Sequence, residues 1–448
     1  MSLQVVYSLI SCVWVHTLAR ESEVRNMKFV STRGKARPIS ASEAILQGLA
    51  EDGGLYVPES FPTLRSVPFN DISSYPEFAF EVLSPFFEDD ILQGDLAEIC
   101  MEAFNFPVVL NPIAEQQMVL ELFHGPTSAF KDFGARFLAC SMERLLMKHD
   151  RKLTILVATS GDTGGAVAAA FHNRKGIRVK VLFPKGRVSE RQKKQLTCWG
   201  DNIASYEVDG SFDDCQKMVK DAFMDERLSK EWGLSSANSI NLGRLLPQSV
   251  YYVYASYLFK SVYGKRPVFI IPSGNVGNCT GAYWASTMGA PIERISLALN
   301  ANHTIVDYLQ NGIYKGEKSI ATLANAMDVG SPSNMERLLN LYPCFDNFKR
   351  MVSATCVDDE TIKRTIREVY QSCGYVLCPH TATAERVRRD MFPNVGSIVV
   401  STAHPAKFNT IVEPLIGRKV EVPSSLKALL EMKSVYQEIG SDYHQLFE

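Results

Sequence analysis

Leu153–Ala158 (LTILVA) is an unbroken apolar run that ends in glycines and is followed by a helical stretch, and the same order recurs along most of the chain. Arg178–Phe183, Ile203–Val208, Pro267–Ile271, Arg294–Leu299 and Val395–Val400 read as further strands. A continuous apolar run without alternation is the mark of a strand covered on both faces. Between these runs, Gly164–Asn173, Ser189–Gly200 and segments opening near Phe212 and Thr280 carry helical patterning. Strands alternating with helices imply right-handed βαβ units and largely parallel sheets, so the fold class is α/β. The first part of the chain differs. From residue 27 to about 115, Gly53, Gly54, Pro58, Pro62, Pro68, Pro76 and Pro85 interrupt every element, and Asp90–Ala103 is the one long amphipathic helix expected there. This predicts a small N-terminal α/β domain.

At 448 residues the chain divides into two or three domains. A net charge of −2 leaves no excess of positive charge to recommend nucleic acid or an anionic membrane as partner. Ten scattered cysteines without a Cys-x-x-Cys pair suggest reduced thiols and a cytoplasmic protein, and Cys373, Cys378 and His380 lack the second ligand pair of a zinc site. Val5–Val15 is apolar but too short to span a bilayer, and no basic segment precedes it. Residues 1–26 are therefore expected to be an extension outside the fold.

In open α/β sheets, ligands bind beyond the carboxyl ends of the strands. Three loops at such ends have unusual composition. Thr159-Ser160-Gly161-Asp162-Thr163-Gly164-Gly165 combines hydroxyls with glycines before a helix start, where free N–H groups attract an anion of amino-acid carboxylate size. Its spacing lacks G-x-G-x-x-G, which argues against a dinucleotide. Ser273-Gly274-Asn275-Val276-Gly277-Asn278 can form a nest of backbone N–H groups; without a Walker lysine it suits a cofactor monoester phosphate better than a nucleoside triphosphate. Ser401-Thr402-Ala403-His404-Pro405-Ala406-Lys407-Phe408 places a hydroxyl at a strand end, where it can face a heteroaromatic nitrogen, and His404 before proline reads as structural. A fourth segment, Asn238-Ser239-Ile240-Asn241-Leu242-Gly243-Arg244, gathers amides, a hydroxyl and a guanidinium into a second anion site. The basic run Lys185, Arg187, Arg191, Lys193 and Lys194 reads instead as a solvated helix face.

Lys131 lies within HGPTSAFKDFGARF (124–137), among Pro126, Ala129, Phe130 and Phe133. Apolar neighbours disfavour the ammonium form and leave an amine able to attack an aldehyde. The local pattern alone fits equally a lysine heading an ordinary helix.

Taken together, HGPTSAFKDFGARF, TSGDTGGA (159–166), SANSINLGR (236–244), PSGNVGN (272–278), LANAMDV (323–329) and STAHPAKF (401–408) resemble the fold-type II pyridoxal-phosphate enzymes. Among these, they resemble the threonine synthase family, in its longer form with an extra N-terminal domain; STRG (31–34) and EDGGLYVP (51–58) are similar to that family as well. The resemblance implies an N-terminal domain over 27–115 and a catalytic region over 116–448, built of two interleaved α/β domains with pyridoxal 5'-phosphate between them. It implies Lys131 as the Schiff-base lysine and proton carrier, with Gly274, Asn275, Val276, Gly277 and Asn278 on the cofactor phosphate and Thr402 on the pyridine nitrogen. Thr159, Ser160 and Thr163 would hold the substrate α-carboxylate, and Asn238, Ser239 and Arg244 the phosphate of O-phospho-L-homoserine. Asp162 would stand beside the cofactor's phenolic oxygen, where many fold-type II enzymes carry asparagine; a carboxylate there needs a shared proton or a nearby cation. The implied reaction yields L-threonine and phosphate. Its rivals are a phospho-lyase giving 2-oxobutyrate and a binding protein without catalysis. Oligomeric state is left open.

Overall fold

The computed structural model describes residues 27–64, 74–149 and 151–448, so the extension 1–26 lies outside the described residues. The strands, numbered along the chain, are β1 (Phe29–Ser31), β2 (Tyr56–Pro58), β3 (Val109–Ala114), β4 (Gln117–Glu121), β5 (Leu153–Ala158), β6 (Ile177–Pro184), β7 (Ile203–Val208), β8 (Leu234–Ser236), β9 (Val268–Pro272), β10 (Arg294–Leu299), β11 (Ser353–Cys356), β12 (Ser397–Ser401) and β13 (Gln437–Ile439). They form three sheets. One is the antiparallel pair β1–β2; one has six strands in the order β11-β10-β9-β12-β4-β3; one has five in the order β13-β7-β6-β5-β8. Every pairing in the five-stranded sheet is parallel, and the six-stranded sheet departs from parallel only at the β3–β4 hairpin. Helix-covered parallel sheets need apolar strands on both faces, and β5, β9 and β12 are buried at every position.

The expected strands all form, with ends shifted by a residue or two. The expected helix over Asp90–Ala103 is shorter. It is α-helical only over Leu96–Ala103, after a 3-10 turn at Gln93–Asp95. Gly94 weakens helix there, and the Asp90 carboxylate accepts from the backbone N–H groups of Ser42 and Leu92, which fixes a turn in place of a helix start.

The N-terminal region shares one continuous core with the strands and helices that follow. Phe104 stacks on Phe137 at 6.0 Å and sits 6.1 Å from Phe133, while Tyr75 meets Phe133 edge-on at 5.9 Å. Phe133 and Phe137 belong to the helix Lys131–His149. The region that shows no chemistry of its own is thus the apolar wall behind the lysine helix. Its STRG and EDGG motifs form a latch: Ser31 donates to Asp52 at 2.7 Å, and Thr32 and Arg33 both reach Glu336.

Candidate active site

A cavity of about 350 Å³ lies where the carboxyl ends of β5, β9 and β12 meet, so the three loops do converge, although β5 belongs to one sheet and β9 and β12 to another. Lys131, Asp162, Thr402 and the segments 159–163, 238–244 and 273–278 all contribute to its wall.

Lys131 opens its helix and is held there by the neighbouring strand-end loop. Phe130 N–H donates to the Thr402 carbonyl at 2.9 Å, His404 N–H donates to the Ser128 carbonyl at 3.0 Å, and Ala129 bridges Ala403. Asp132 braces the same turn by accepting from Thr127 N and Thr127 Oγ1 at 2.9 and 2.7 Å. Gly134 lets the helix touch the first turn of the helix Leu242–Tyr263, since a Cβ there would collide with the Arg244 carbonyl. Burial pulls the Lys131 amine down to about 8, Lys407 and Arg244 add to that effect, and Asp162 opposes it.

The loop after β9 is a nest. Val276 is fully buried at φ 52°, a left-handed conformation that β-branched residues avoid, and it precedes the helix Gly277–Thr287. The asparagine side chains brace the loop: Asn278 accepts from Ser273 Oγ at 2.5 Å and donates to the Pro272 carbonyl, and Asn275 donates to Ser239 Oγ at 2.7 Å. Its backbone N–H groups are thereby left to face an anion. A Cβ at Gly274 would lie 2.6 Å from Met327 Cα, so the LANAMDV turn closes directly over the nest.

On the facing wall, Thr159 Oγ1 accepts from Gly161 N at 3.0 Å and Gly164 N at 2.9 Å and so shapes its own loop, with Ser160 and Thr163 beside it in the cavity wall. Arg244 is buried, and its Nη1 donates to the Ala237 carbonyl at 2.6 Å. Its Nε is buried and has no hydrogen-bond partner among the described residues, and the side chain lines the cavity together with Asn238 and Ser239. A buried guanidinium that lines a polar cavity with few of its donors spent on the protein can offer the rest to an anion.

The remaining sequence candidates separate clearly. His404 is not in the cavity wall: its ring packs on Phe123 at 5.1 Å and its Nδ1 accepts from Ala406 N. Lys185, Lys193 and Arg191 bind Glu438, Glu207 and the Ala406 carbonyl, away from the cavity. Three participants were not picked out from sequence. His380 lines the cavity, with burial pulling its imidazole down to about 4, so it is neutral and accepts from Ala326 N. Lys407 is fully buried and pairs with Asp162 at 2.8 Å. Arg337 braces the 239–240 backbone from behind. Lys407 lay inside a quoted motif, whereas no spacing signal marks Arg337.

A buried amine, a strained nest of free N–H groups and a free strand-end hydroxyl fit pyridoxal phosphate, and fold and site together define a pyridoxal-phosphate-dependent enzyme. The family model described as "Pyridoxal-phosphate dependent enzyme" matches residues 118–391, that for "Threonine synthase N terminus" matches 28–104, and that for "Threonine synthase, C-terminal" matches 381–447. The chain belongs to the threonine synthase family. It is 38% identical to threonine synthase of Buchnera aphidicola subsp. Acyrthosiphon pisum over 424 residues, covering 94% of this chain and 98% of that one. It is 37% identical to the Escherichia coli protein over 94% and 98%. The crystal structure of a PLP-bound threonine synthase from Brucella melitensis superposes with a TM-score of 0.87 at 34% identity, covering 94% of this chain and 98% of that one.

Proposed function

We propose that this chain converts O-phospho-L-homoserine and water to L-threonine and inorganic phosphate. The carrying observation is that two separate anion sites, the 274–278 nest and the Asn238–Arg244 segment, flank one buried amine in one cavity. One suits a cofactor phosphate and the other a phosphorylated substrate.

When bound, pyridoxal phosphate supplies an aldehyde carbon for an amine and a ring that accepts the electron pair left when a C–H bond breaks. The backbone N–H groups of Gly274, Asn275, Val276, Gly277 and Asn278 would hold its phosphate, Thr402 would serve its ring nitrogen, and Asp162 its phenolic oxygen. Thr159, Ser160 and Thr163 orient the substrate α-carboxylate. Arg244, Asn238 and Ser239 take the substrate phosphate, with Arg244 offering charge-assisted donors that burial strengthens. Lys131 Nζ would be the amine that holds the cofactor aldehyde and, once free, the base that removes the substrate Cα proton. Loss of a Cβ proton then expels phosphate from Cγ. Proton return to Cγ, addition of water at Cβ and return of a proton to Cα complete threonine, with Lys131 Nζ as the proton carrier at Cα.

The division into an N-terminal domain over 27–115 and a catalytic region over 116–448 follows the change of sequence pattern, while Phe104 and Phe133 pack in one core across it. A reducing, cytoplasmic setting suits nine free cysteines among the described residues, and no helix there is long and apolar enough to cross a membrane. Product analysis with O-phosphohomoserine is the test. Threonine and phosphate in equal amounts, abolished by Lys131→Ala, are expected. Release of 2-oxobutyrate as the main product would replace the synthase with a lyase, and unchanged ligand binding in Lys131→Ala without any turnover in the parent would leave a binding protein.

A further inference from the structure

The Asp162 carboxylate sits where a neutral amide would do, and Lys407 is its only cationic hydrogen-bond partner among the described residues. Lys407 has no solvent exposure and Asp162 has 5%. Two ions in such a site are costly to bury unless they neutralise each other and their other donors and acceptors are met. These are met unevenly. The Lys407 ammonium reaches Asp162 Oδ1 at 2.8 Å and the Thr127 carbonyl at 2.9 Å, and Gln192 Nε2 donates to the same Oδ1 at 3.1 Å. Oδ2 has no hydrogen bond among the described residues, and Asp162 belongs to the cavity wall. One carboxylate oxygen is anchored to the protein; the other is left for the ligand.

The cofactor's phenolic oxygen is on the ring carbon next to the one that bears the aldehyde, so a carboxylate close enough to influence Lys131 would also be close to that oxygen. Asp162 and Lys131 do act on each other's charge. The other titratable groups facing the pair are His380 and Cys378 from the 378–391 segment, Asp132 beside Lys131, and His404 beside Lys407. His380 is neutral, as shown above, and burial pushes the Cys378 thiol up, so that it is also neutral.

Resting on the cofactor placement above, we propose that Lys407 is a positioning residue: it holds Asp162 as an anion and cancels its charge, so that the pair acts as one neutral hydrogen-bonding unit at the phenolic oxygen. Its second bond, to Thr127, ties this unit to the Lys131 loop. Burial alone would push the Asp162 carboxyl up; the Lys407 ammonium, with Lys131, reverses this and holds it well below the usual carboxylate range.

The test is a four-member cycle of parent, Lys407→Met, Asp162→Asn and the double variant, each read as absorbance of the bound cofactor against pH and as thermal unfolding of cofactor-free protein. Losing the cation leaves an uncompensated negative charge, so Lys407→Met raises the absorbance midpoint by roughly one pH unit. Asp162→Asn leaves the cation and lowers it by a similar amount. The double variant returns to within about half a unit of the parent, because a neutral amide needs no counter-ion. Cofactor-free protein loses roughly 5–10 °C of Tm in each single variant and recovers most of it in the double. Shifts of the same sign in both single variants, no shift in either, or a double variant that does not return would overturn the proposal. Should Lys407→Met fail to fold, the downward shift in Asp162→Asn and its reversal in the double variant decide. None of these readouts depends on which product forms, so they stand apart from the assignment of the reaction.

Discussion

Arg244 and Arg337 are both buried arginines a few ångströms from the same stretch of backbone, yet they are held in opposite ways. Arg337 donates to the carbonyls of Tyr56, Ser239 and Ile240 and to Asn334 Oδ1, at 3.1, 3.3, 2.6 and 2.6 Å, so each of its guanidinium nitrogens is used. Arg244 makes one such bond among the described residues, and its buried Nε has no partner there. Burial lowers both, Arg337 to about 9 and Arg244 to about 10, so neither loses its charge near neutrality. The difference is in what the charge is for. A guanidinium whose donors are spent on carbonyls holds architecture together; one with donors to spare beside a polar cavity is kept ready for an anion.

The sharpest way to break this contrast is to remove each guanidinium in turn. Arg337→Met strands three backbone carbonyls and is expected to destabilise the protein by about 3–5 kcal/mol in denaturant unfolding, with activity per folded molecule far less affected. Arg244→Met is expected to do the reverse: kcat/KM for the phosphorylated substrate falls by roughly 10²–10³, while stability stays within about 1 kcal/mol because an unsatisfied donor has gone. If both variants lose stability alike, the distinction between the two arginines is wrong.

Part of this was legible in the sequence. The strands β5, β7 and β10 coincide with the expected runs, and β5, buried at every position, is apolar but for Thr154 because both of its faces are covered. The lysine and the loops at strand ends were legible because their glycines and hydroxyls are out of place in a packed core. Arg337 was not, since its role depends on the carbonyls of Tyr56 and Ile240, which come from distant parts of the chain and have no side-chain signature. Lys407 stood in plain view within a motif, but a lysine shows its counter-ion only once Asp162 is folded beside it. The strained backbone at Val276 was hidden for a related reason, because valine is a residue that propensity would never place at positive φ.

Smaller effects refine the comparison on the cofactor side. Gly274→Ala drives a methyl into the Met327 backbone and is expected to weaken pyridoxal phosphate binding roughly 5- to 150-fold, measured by reconstitution of cofactor-free protein, whereas the same change at exposed Gly94, with open space and no positive φ, should leave binding unchanged. The pH dependence of cofactor capture tests Lys131 directly. Only the neutral amine attacks an aldehyde, so the capture rate of the cofactor-free protein should rise roughly tenfold per unit as pH increases and level off above about 8. A plateau near the ordinary lysine value instead would show that burial does not reach the amine.

The pairing of β4 with β12 has a consequence for how the protein is made. Gln117 lies opposite Ser397 in that ladder, and the Lys131 turn is clasped by Thr402 and His404. A chain emerging from the ribosome presents its lysine long before the strand that positions it. Until residue 404 has left the exit tunnel, the six-stranded sheet has a gap at its centre and the amine has no fixed surroundings. Capture of a reactive aldehyde is therefore deferred to the last stage of synthesis, and an interrupted chain makes no working pocket.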